Sequence, residues 1–260
     1  MRTISLSPMD LHRGELILVN AAHACCTGEA LSLVPAQEGS SVLLHRRAAV
    51  LLHALMAEID GWSGIVPVSG WRSHNAQKRI YADSLWENGA AFTQAFVALP
   101  GHSEHQTGLA IDLGLRQERV DFLCPDFPYE GLCQTFRERA ADYGFVLRYP
   151  AGKESVTGIA HEPWHFRFVG MPHSFLLAQE RLVLEEYVDL LRGHPLGRPL
   201  CAEIRGHAFR ISFLDARELA QAQLAADDAA PLHVSGNNVD GYILTEWGET
   251  HVRLTALRGA

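Results

Sequence analysis

The sequence predicts an α+β protein made of a larger N-terminal domain and a smaller C-terminal module. Segments with helical spacing of apolar residues are interleaved with short runs of β-branched and aromatic residues, which are typical of strands. The 260 residues, 47% of them hydrophobic, suffice for one globular domain with a core plus a small appendage. The segment HPLGRP (194–199) carries two prolines and a glycine, which predicts a linker. We therefore expect domains at 1–193 and 194–260.

The N-terminal domain is predicted to alternate strands and helices. Apolar residues recur at helical spacing between residues 45 and 62. Ser73 has the residue type and position of a helix N-cap, and Gly89 and Gly193 are expected to terminate helical segments. On this basis we expect strands at 16–20, 65–70, 109–115, 144–150 and 164–170, and helices at 45–62, 73–86, 132–143 and 175–193.

The C-terminal module shows a different pattern. HAFRISF (207–213) and HVRLTAL (251–257) have strand composition, and DARELAQAQLAA (215–226) consists mainly of helix formers. PLHVSGNNVDGYILTEW (231–247) places the turn residues GNN and DG between two apolar runs. The predicted order is strand, helix and two or three further strands. No catalytic constellation is present here, so its role is open between peptide binding, covering of a site, dimerisation and simple stabilisation.

Composition and charge argue against several classes of function. The formal charge is −8 and the sequence has no basic run, which argues against nucleic acid as a partner. No apolar run reaches the ~18–20 residues that a membrane span requires. Charged residues interrupt the N-terminal segment where a signal peptide would have its apolar core. The five cysteines form no CxxC pair, so free thiols and a cytoplasmic location are expected.

The segment HEPWHFRF (161–168) begins with a match to HExxH, the zinc-binding helix of zincin metalloproteases. In that motif both histidines lie one turn apart on a helix, but Pro163 inside the helix would cost about 3 kcal/mol or more. The aromatic residues that follow favour a strand. We therefore predict that the match is accidental for His161, and that Glu162 and His165 reach one site from an irregular turn entering a strand.

Further candidate ligands lie in GHSEHQTGLAIDLG (101–114). His105 falls in a glycine-rich loop and Asp112 on the predicted strand after it, where small residues leave space for a cavity. With His165 they form a His/Asp/His set whose nitrogen and oxygen donors suit Zn²⁺. Glu162 would then be the general base for the attacking water. Either string alone is also typical of ordinary loop or packing residues, and only their combination favours a metal site.

These strings resemble a known family. SEHQTGLAID (103–112) is similar to the SxHxxGxAxD motif, and EPWH (162–165) to the ExxWH motif, of the zinc D,D-peptidases, which include the vancomycin-resistance D,D-carboxypeptidases and D,D-dipeptidases. SGWRSHNAQKRIYADSLWENG (69–89) also resembles the bifunctional dipeptidase/carboxypeptidase branch. The resemblance covers roughly residues 15–192 and does not extend to 194–260. It implies a small central antiparallel sheet with flanking helices.

The resemblance also implies roles for individual residues. It makes His105, Asp112 and His165 the zinc ligands and Glu162 the catalytic base. Arg72 matches the family arginine that polarises the scissile carbonyl and stabilises the oxyanion, which is a role for a fixed cation beside a developing negative charge.

Three further positions are candidates for substrate binding. Ser103 and Gln77 match positions that hold the C-terminal carboxylate or the backbone of the substrate, although Ser103 is also a candidate loop cap and Gln77 a candidate for an exposed helix face. Tyr81 lies on the helix after the arginine, where it either lines the pocket or packs.

The activity that the resemblance implies is zinc-dependent hydrolysis of the D-Ala-D-Ala bond in peptidoglycan precursor peptides, in the free dipeptide, or in both. One alternative is a zinc L,D- or endolysin-type peptidoglycan peptidase on the same fold. The other is a non-catalytic peptide-binding protein, which the intact set of base, arginine and ligands argues against. No feature of the sequence indicates an oligomeric state.

Overall fold

Helices and short strands alternate along the chain, which confirms the α+β class. The computed structural model describes residues 2–26, 31–219, 222–226, 231–248 and 252–256. The strands are β1 (Arg2–Ile4), β2 (Leu33–Pro35), β3 (Leu43–His45), β4 (Ile65–Ser69), β5 (Ala110–Leu115), β6 (Phe145–Tyr149), β7 (Glu162–Phe168), β8 (Leu200–Ile204), β9 (His207–Asp215), β10 (Ala222–Ala226), β11 (Leu232–Gly236), β12 (Gly241–Trp247) and β13 (Val252–Ala256). The α-helices are α1 (Arg46–Glu58), α2 (His74–Phe96), α3 (Gly131–Arg139), α4 (Glu154–Thr157), α5 (His173–Glu180), α6 (Leu184–Arg192) and α7 (Ala216–Leu219).

The chain divides into two compact units, one of residues 19–183 and one of residues 1–18 with 184–260. These bounds differ from the domain bounds that the sequence predicts, since residues 184–193 and the N-terminal residues fall with the C-terminal part. The domain bounds 1–193 and 194–260 stay a prediction. Within the described residues, no helix combines the length and the apolar character needed to cross a bilayer.

The unit of residues 19–183 contains the sheet that positions the candidate site. Its strand order is β4–β5–β7–β6, and all neighbouring pairs are antiparallel. Because side chains alternate between the two faces of a strand, Ile111 on β5 and Phe166 on β7 point to one face, whereas Asp112 and His165 point to the other. The first face packs against buried residues of α1 and α3 in the main hydrophobic core. The candidate ligands therefore lie on the polar face.

Helix α2 begins where the sequence predicts but extends further. The Ser73 hydroxyl accepts a hydrogen bond from the backbone N–H of Ala76 (3.1 Å), as expected of an N-cap. At Gly89 the backbone leaves the helical conformation (φ 80°, ψ 172°), and the helix then resumes to Phe96. The predicted helix end is thus a kink, because only a glycine adopts this conformation without strain.

Two predicted elements are wrong near the ends of this unit. Residues 16–20 form no regular strand, and Asn20 pairs with His23 in an isolated bridge. The apolar run there reflects burial without sheet pairing. The single helix predicted at 175–193 is two helices, α5 and α6, because Arg181 adopts a left-handed conformation (φ 52°) that ends the first.

The unit of residues 1–18 and 184–260 contains antiparallel sheets in the orders β11–β12–β9–β8 and β1–β10–β13. The predicted turn between β11 and β12 is confirmed, and the Asn237 side-chain oxygen accepts hydrogen bonds from three successive backbone N–H groups in it. The helix predicted at 215–226 is wrong beyond Leu219, since 222–226 form β10 and residues 220–221 lie outside the described part. Pairing with strands on both sides outweighs the helix propensity of that segment.

The core predicts the consequence of one substitution. Phe166 is fully buried, with its ring 4.8 Å from that of Phe136 and 5.5 Å from that of Phe127. We expect Phe166→Ala to lower the free energy of unfolding by about 3–5 kcal/mol, because it removes buried area and leaves a cavity. Urea unfolding would measure this. Trp86→Ala is the matched control, since Trp86 is 90% exposed; equal losses for both variants would contradict the packing described.

Candidate metal centre and active site

Strand register assembles the centre of the site. Asp112 on β5 lies opposite Ser69 on β4 on one side and opposite His165 on β7 on the other. Glu162, at the start of β7, lies opposite Tyr149 on β6. The sequence separates these residues by up to about a hundred positions, yet antiparallel pairing places Ser69, Asp112 and His165 in one row across the sheet, with Glu162 three residues before His165 on the same strand.

His105 joins this row from a short 3₁₀ turn (Glu104–Thr107) that precedes β5. Gly108 ends the turn in a left-handed conformation (φ 71°), which favours glycine. The turn is fixed to the end of β4, since the backbone N–H of Arg72 donates to the carbonyl of His105 (3.1 Å). The adjoining Gly70 has no room for a side chain, because a Cβ would lie 2.2 Å from the carbonyl oxygen of Leu43.

The structure brings the three predicted ligands together. Donor atoms of His105, Asp112 and His165 all lie within 4.8 Å of one another, and all three residues are buried. The Asp112 carboxylate is 3.1 Å from His105 Nε2 through Oδ2 and 2.8 Å from His165 Nδ1 through Oδ1. A buried carboxylate between two imidazole nitrogens is a donor set that could hold a divalent metal ion.

The two histidines face this centre with different nitrogens. His105 Nδ1 lies 2.7 Å from the carbonyl oxygen of Gly70, so it carries the proton and leaves Nε2 as the donor atom on the Asp112 side. His165 is turned the other way, with Nδ1 toward Asp112 and Nε2 toward Glu104, whose Oε2 is 3.6 Å away.

Burial and neighbouring charges set the pKa values of the three candidate ligands. Burial, together with the charge of Arg72, lowers the pKa of His105 to about 4, so this imidazole is neutral. Burial also lowers the pKa of His165, but the Asp112 and Glu104 carboxylates outweigh it and raise that pKa to about 9. Burial raises the pKa of Asp112, yet the protonated His165 and the guanidinium of Arg72, which both contact its carboxylate, hold it well below its usual range. The ionised carboxylate thus shares a proton with His165 that a metal ion would displace.

Arg72 is tied to the centre by three side-chain contacts. Its Nε donates to the hydroxyl of Ser69 (2.8 Å), its Nη2 to Asp112 Oδ2 (2.8 Å) and its Nη1 to Gln77 Oε1 (3.4 Å). Burial lowers the pKa of Arg72, whereas the nearby carboxylates raise it. An arginine remains charged under these conditions, so the site contains a fixed cation with 13% of its side chain exposed.

Glu162 has the environment of a general base. Its side chain is buried, and Oε2 lies 3.6 Å from His165 Nδ1. Burial raises the pKa of Glu162 to about 8, with His165 and Arg72 opposing the shift and Asp112 adding to it. A raised pKa makes the ionised form of this carboxyl group a stronger base, which is the property that activation of water beside candidate metal ligands would require.

A cavity of about 40 Å³ opens between these groups. Of the predicted substrate-binding residues, Ser103 lines it, whereas Gln77 is fully buried, donates to the carbonyl of Ala98 (2.8 Å) and contacts Arg72. Tyr81 lines an adjoining cavity of about 220 Å³ instead. A role in substrate binding stays a prediction for all three residues.

Sequence reasoning missed several residues of the site. Tyr149, Phe122 and Leu123 line the cavity, and the ring of Phe122 lies 5.6 Å from the guanidinium of Arg72. Glu104 also lines the cavity. Of these residues it has the clearest signal in the sequence, because it is an acidic residue directly before a candidate histidine ligand. Phe122 and Leu123 lie in a loop without any motif, so the sequence offered no signal for them.

The segment that matches HExxH forms no helix, as predicted, but its strand begins at Glu162, so Glu162 and Pro163 belong to the strand and not to an irregular turn before it. Glu162–Phe168 form β7, and His161 lies outside the group of ligands. The two nitrogens of His161 contact the carbonyl oxygen of Tyr149 (2.9 Å) and the hydroxyl of Tyr129 (3.1 Å). These contacts fix the chain just before Glu162, which is a structural role.

Comparison with known proteins matches the same region to a family. Residues 41–171, about half of the chain and all of the candidate ligands, match the family model VanY, described as D-alanyl-D-alanine carboxypeptidase. The chain belongs to the VanY family. The match begins before the sheet and ends after β7, so it covers the strands that assemble the site.

Individual relatives extend the likeness of this VanY-family chain. The bifunctional D-Ala-D-Ala dipeptidase and D-Ala-D-Ala carboxypeptidase VanXYC of Enterococcus gallinarum is 51% identical over 125 residues, which is 48% of this chain and 66% of that relative, just under two thirds of its length. The crystal structure of the vancomycin-resistance D,D-dipeptidase VanXYg, in complex with a D-Ala-D-Ala phosphinate analogue, superposes with a TM-score of 0.91 and 40% identity over 95% of this chain and 99% of that one.

A second solved structure contains a metal. It is a mutant of the D,D-pentapeptidase VanY from a VanB-type resistance cassette in complex with Zn(II), with a TM-score of 0.57 and 27% identity over 67% of this chain and 98% of that one. The match to VanXYg spans nearly the whole chain, so the C-terminal part that sequence resemblance leaves unexplained has a counterpart of the same fold.

The ligand set and the HExxH match lead to opposite expectations for two histidines. We expect His165→Ala to abolish stoichiometric metal binding, because it removes one of three converging donors, and His161→Ala to retain it. Metal content after dialysis, measured by atomic absorption, would distinguish the two variants. Loss of metal in His161→Ala with retention in His165→Ala would contradict the centre described here.

Proposed function

We propose that this chain is a zinc-dependent D,D-peptidase that hydrolyses the peptide bond between two D-alanine residues. The observation that carries the proposal is one buried group: His105, Asp112 and His165 converge, Glu162 lies beside them, and Arg72 binds Asp112. This group lies within the region that matches the VanY family. The named activities of VanXYC and VanXYg support the same substrate.

Zn²⁺ is the cofactor that fits this donor set. Two nitrogens and one carboxylate are typical of catalytic zinc sites, which leave a further position open. The neutral state of His105 and the ionised state of Asp112 are the forms that bind a metal. When bound, zinc lowers the pKa of a water molecule toward neutrality and polarises a carbonyl group.

The residues of the chain supply the proton transfer and the charge stabilisation. Glu162 accepts the proton of the attacking water as the bond to the carbonyl carbon of the first D-alanine forms. The guanidinium of Arg72, fixed by Ser69 and Asp112, stabilises the negative charge that develops on the carbonyl oxygen. Glu162 then donates the proton to the amine of the departing D-alanine, so that one carboxyl group acts as base and then as acid.

Substrate positioning is proposed for the cavity walls. Ser103, the residue before the turn that contains His105, lines the cavity, and its proposed role is to hold the terminal carboxylate or the backbone of the substrate. Gln77 contributes indirectly, through its contact with Arg72. Tyr81 lines the adjoining cavity of about 220 Å³. Tyr149 and Val97 line both this cavity and the first one. That space suits a substrate longer than a dipeptide.

The proposed substrates are peptidoglycan precursor peptides that end in D-Ala-D-Ala and the free dipeptide. Such an activity serves either vancomycin resistance or ordinary wall metabolism. We propose a cytoplasmic location, because all five cysteines are free thiols in the structure, as expected in a reducing compartment. The alternative substrate class is an L,D- or other peptidoglycan bond on the same fold, which the assay below distinguishes.

The role of Glu162 predicts a loss of turnover. We expect Glu162→Gln to lower kcat by about 10²–10⁴-fold, because the amide accepts no proton. The control Glu138→Gln alters an exposed glutamate on α3 and should leave kcat unchanged. D-Alanine release from D-Ala-D-Ala would be measured for both; equal rates would overturn the assignment of the base.

Substrate and metal are tested together. We expect D-alanine release from D-Ala-D-Ala and from a pentapeptide ending in D-Ala-D-Ala, with release abolished by a chelator and restored by Zn²⁺. The ratio of the two rates measures dipeptidase activity relative to carboxypeptidase activity. A stem peptide lacking the terminal D-alanine is the third substrate. Cleavage of that peptide alone, still sensitive to chelator, would retain the zinc site and overturn the D,D specificity.

A further inference from the structure

Glu104 is a fully buried carboxylate that the mechanism above does not use. It lies between Ser103 and His105, on the turn that leads into β5. Its Oε1 accepts a hydrogen bond from Arg148 Nε (2.8 Å) and another from Arg167 Nη1 (2.7 Å). Both arginine side chains are almost fully buried too. One oxygen of the carboxylate is thus held by two fixed cations.

The other oxygen faces a candidate metal ligand. Glu104 Oε2 is 3.6 Å from His165 Nε2. Within the part of the chain that the structure describes, each of these two buried atoms has no hydrogen-bond partner. A buried polar atom without a partner costs free energy, on the order of 1–3 kcal/mol. The two atoms face each other and are complementary, because the carboxylate oxygen is an acceptor and the ring nitrogen can carry a proton. A shift of about half an ångström would bring them within hydrogen-bond distance.

We propose that Glu104 is a positioning residue that fixes His165 with its Nδ1 toward the metal. An ionised carboxylate only accepts hydrogen bonds, so the proton of the imidazole must lie on Nε2. The lone pair of Nδ1 is then free for the metal. The inference rests on the metal site of the proposed function and assigns this chain a carboxylate–histidine–metal arrangement.

The two arginines keep Glu104 in the required state. Arg148 Nε and Arg167 Nη1 lie 2.8 Å and 2.7 Å from Glu104 Oε1, so a negative charge on this buried carboxylate has two cationic partners. The two hydrogen bonds that Glu104 Oε1 accepts from buried guanidinium groups favour the ionised carboxylate, which has no proton to donate to His165. For His105 the backbone carbonyl of Gly70 has the same role, since it accepts a hydrogen bond from Nδ1, the ring nitrogen that faces away from the centre.

Stability alone is a weak reason for such a cluster. Replacing buried ion pairs by well-packed apolar residues is often neutral or stabilising, because the charges must be desolvated. Here three charged side chains lie on the polar face of the sheet, directly behind one ligand. Their arrangement leaves one carboxylate oxygen pointing at the ligand's remote nitrogen, which is what orientation of the imidazole requires.

The substitution Glu104→Gln tests the proposal. The amide oxygen of the glutamine would accept the hydrogen bonds of the two arginines. Its NH₂ group would then face His165 Nε2. That donor favours the proton on Nδ1, the wrong tautomer for metal binding. We expect Zn²⁺ affinity, measured by competition with a chromogenic chelator, to fall by about 10–100-fold, and the visible absorption of the Co²⁺-substituted protein to change. Glu58→Gln is the matched control, since Glu58 is an exposed glutamate paired with Arg139, and it should bind metal as the unmodified protein does.

A second variant guards against a folding defect. Glu104→Gln alone leaves two buried arginines without an anion, whereas Glu104→Gln combined with Arg167→Met keeps the net charge of the cluster and lets the amide oxygen accept from Arg148. We expect this double variant to unfold at a urea concentration close to that of the unmodified protein and still to bind Zn²⁺ about 10–100-fold more weakly. Metal affinity equal to that of the unmodified protein would overturn the proposal.

The unmodified protein provides a test that needs no variant at position 104. In the zinc-loaded protein labelled with ¹⁵N-histidine, long-range ¹H–¹⁵N spectra report which nitrogen of each imidazole carries the proton. His165, assigned by comparison with His165→Ala, should carry it on Nε2. Protonation on Nδ1 would overturn the inference. A protein that binds no Zn²⁺ at all would overturn the proposed metal site itself, which is a distinguishable failure.

Discussion

The site depends on the antiparallel pairing of β5 with β7, which sets Asp112 opposite His165. A slip of one residue along this pair would exchange the two faces of a strand and bring Ile111 into the place of Asp112. The aromatic residues of β7, which are buried in the core, resist such a slip, because it would expose them on the polar face. Core packing on one side of the sheet therefore fixes the chemistry on the other.

Charge is distributed unevenly over the polar face, and this separates the roles of its carboxylates. Asp112 and Glu104 each have close cationic partners, which hold their pKa values far below the usual range. Glu162 is as deeply buried but lies farther from its cations, and its pKa is raised to about 8. Carboxylates in one small volume thereby have the different environments that the proposed roles of metal ligand, orienting anion and base require.

The sequence predicted what depends on local chemistry and missed what depends on pairing partners. Pro163 excluded the zinc-binding helix, and Ser73 marked the start of α2, because both effects act within one turn of chain. The strand β10 was predicted as a helix, since its neighbours β1 and β13 are remote in sequence. The ligand set came from motifs, whereas the contact of Arg72 with Asp112 and the loop that carries Phe122 follow from tertiary structure.

Because the two imidazoles have opposite orientations, different substitutions would preserve the geometry at the two histidine positions of the candidate metal centre. Nδ1 of His165 is separated from Cα by the same number of bonds as the terminal side-chain atoms of an asparagine or aspartate. Nε2 of His105 is separated from Cα by the same number of bonds as the terminal side-chain atoms of a glutamine or glutamate. Oxygen ligands suit harder cations such as Mn²⁺ or Ca²⁺. For such metals, aspartate at position 165 and glutamate at position 105 would keep the donor atoms near their present positions. Glutamate at position 165 with aspartate at position 105 would not.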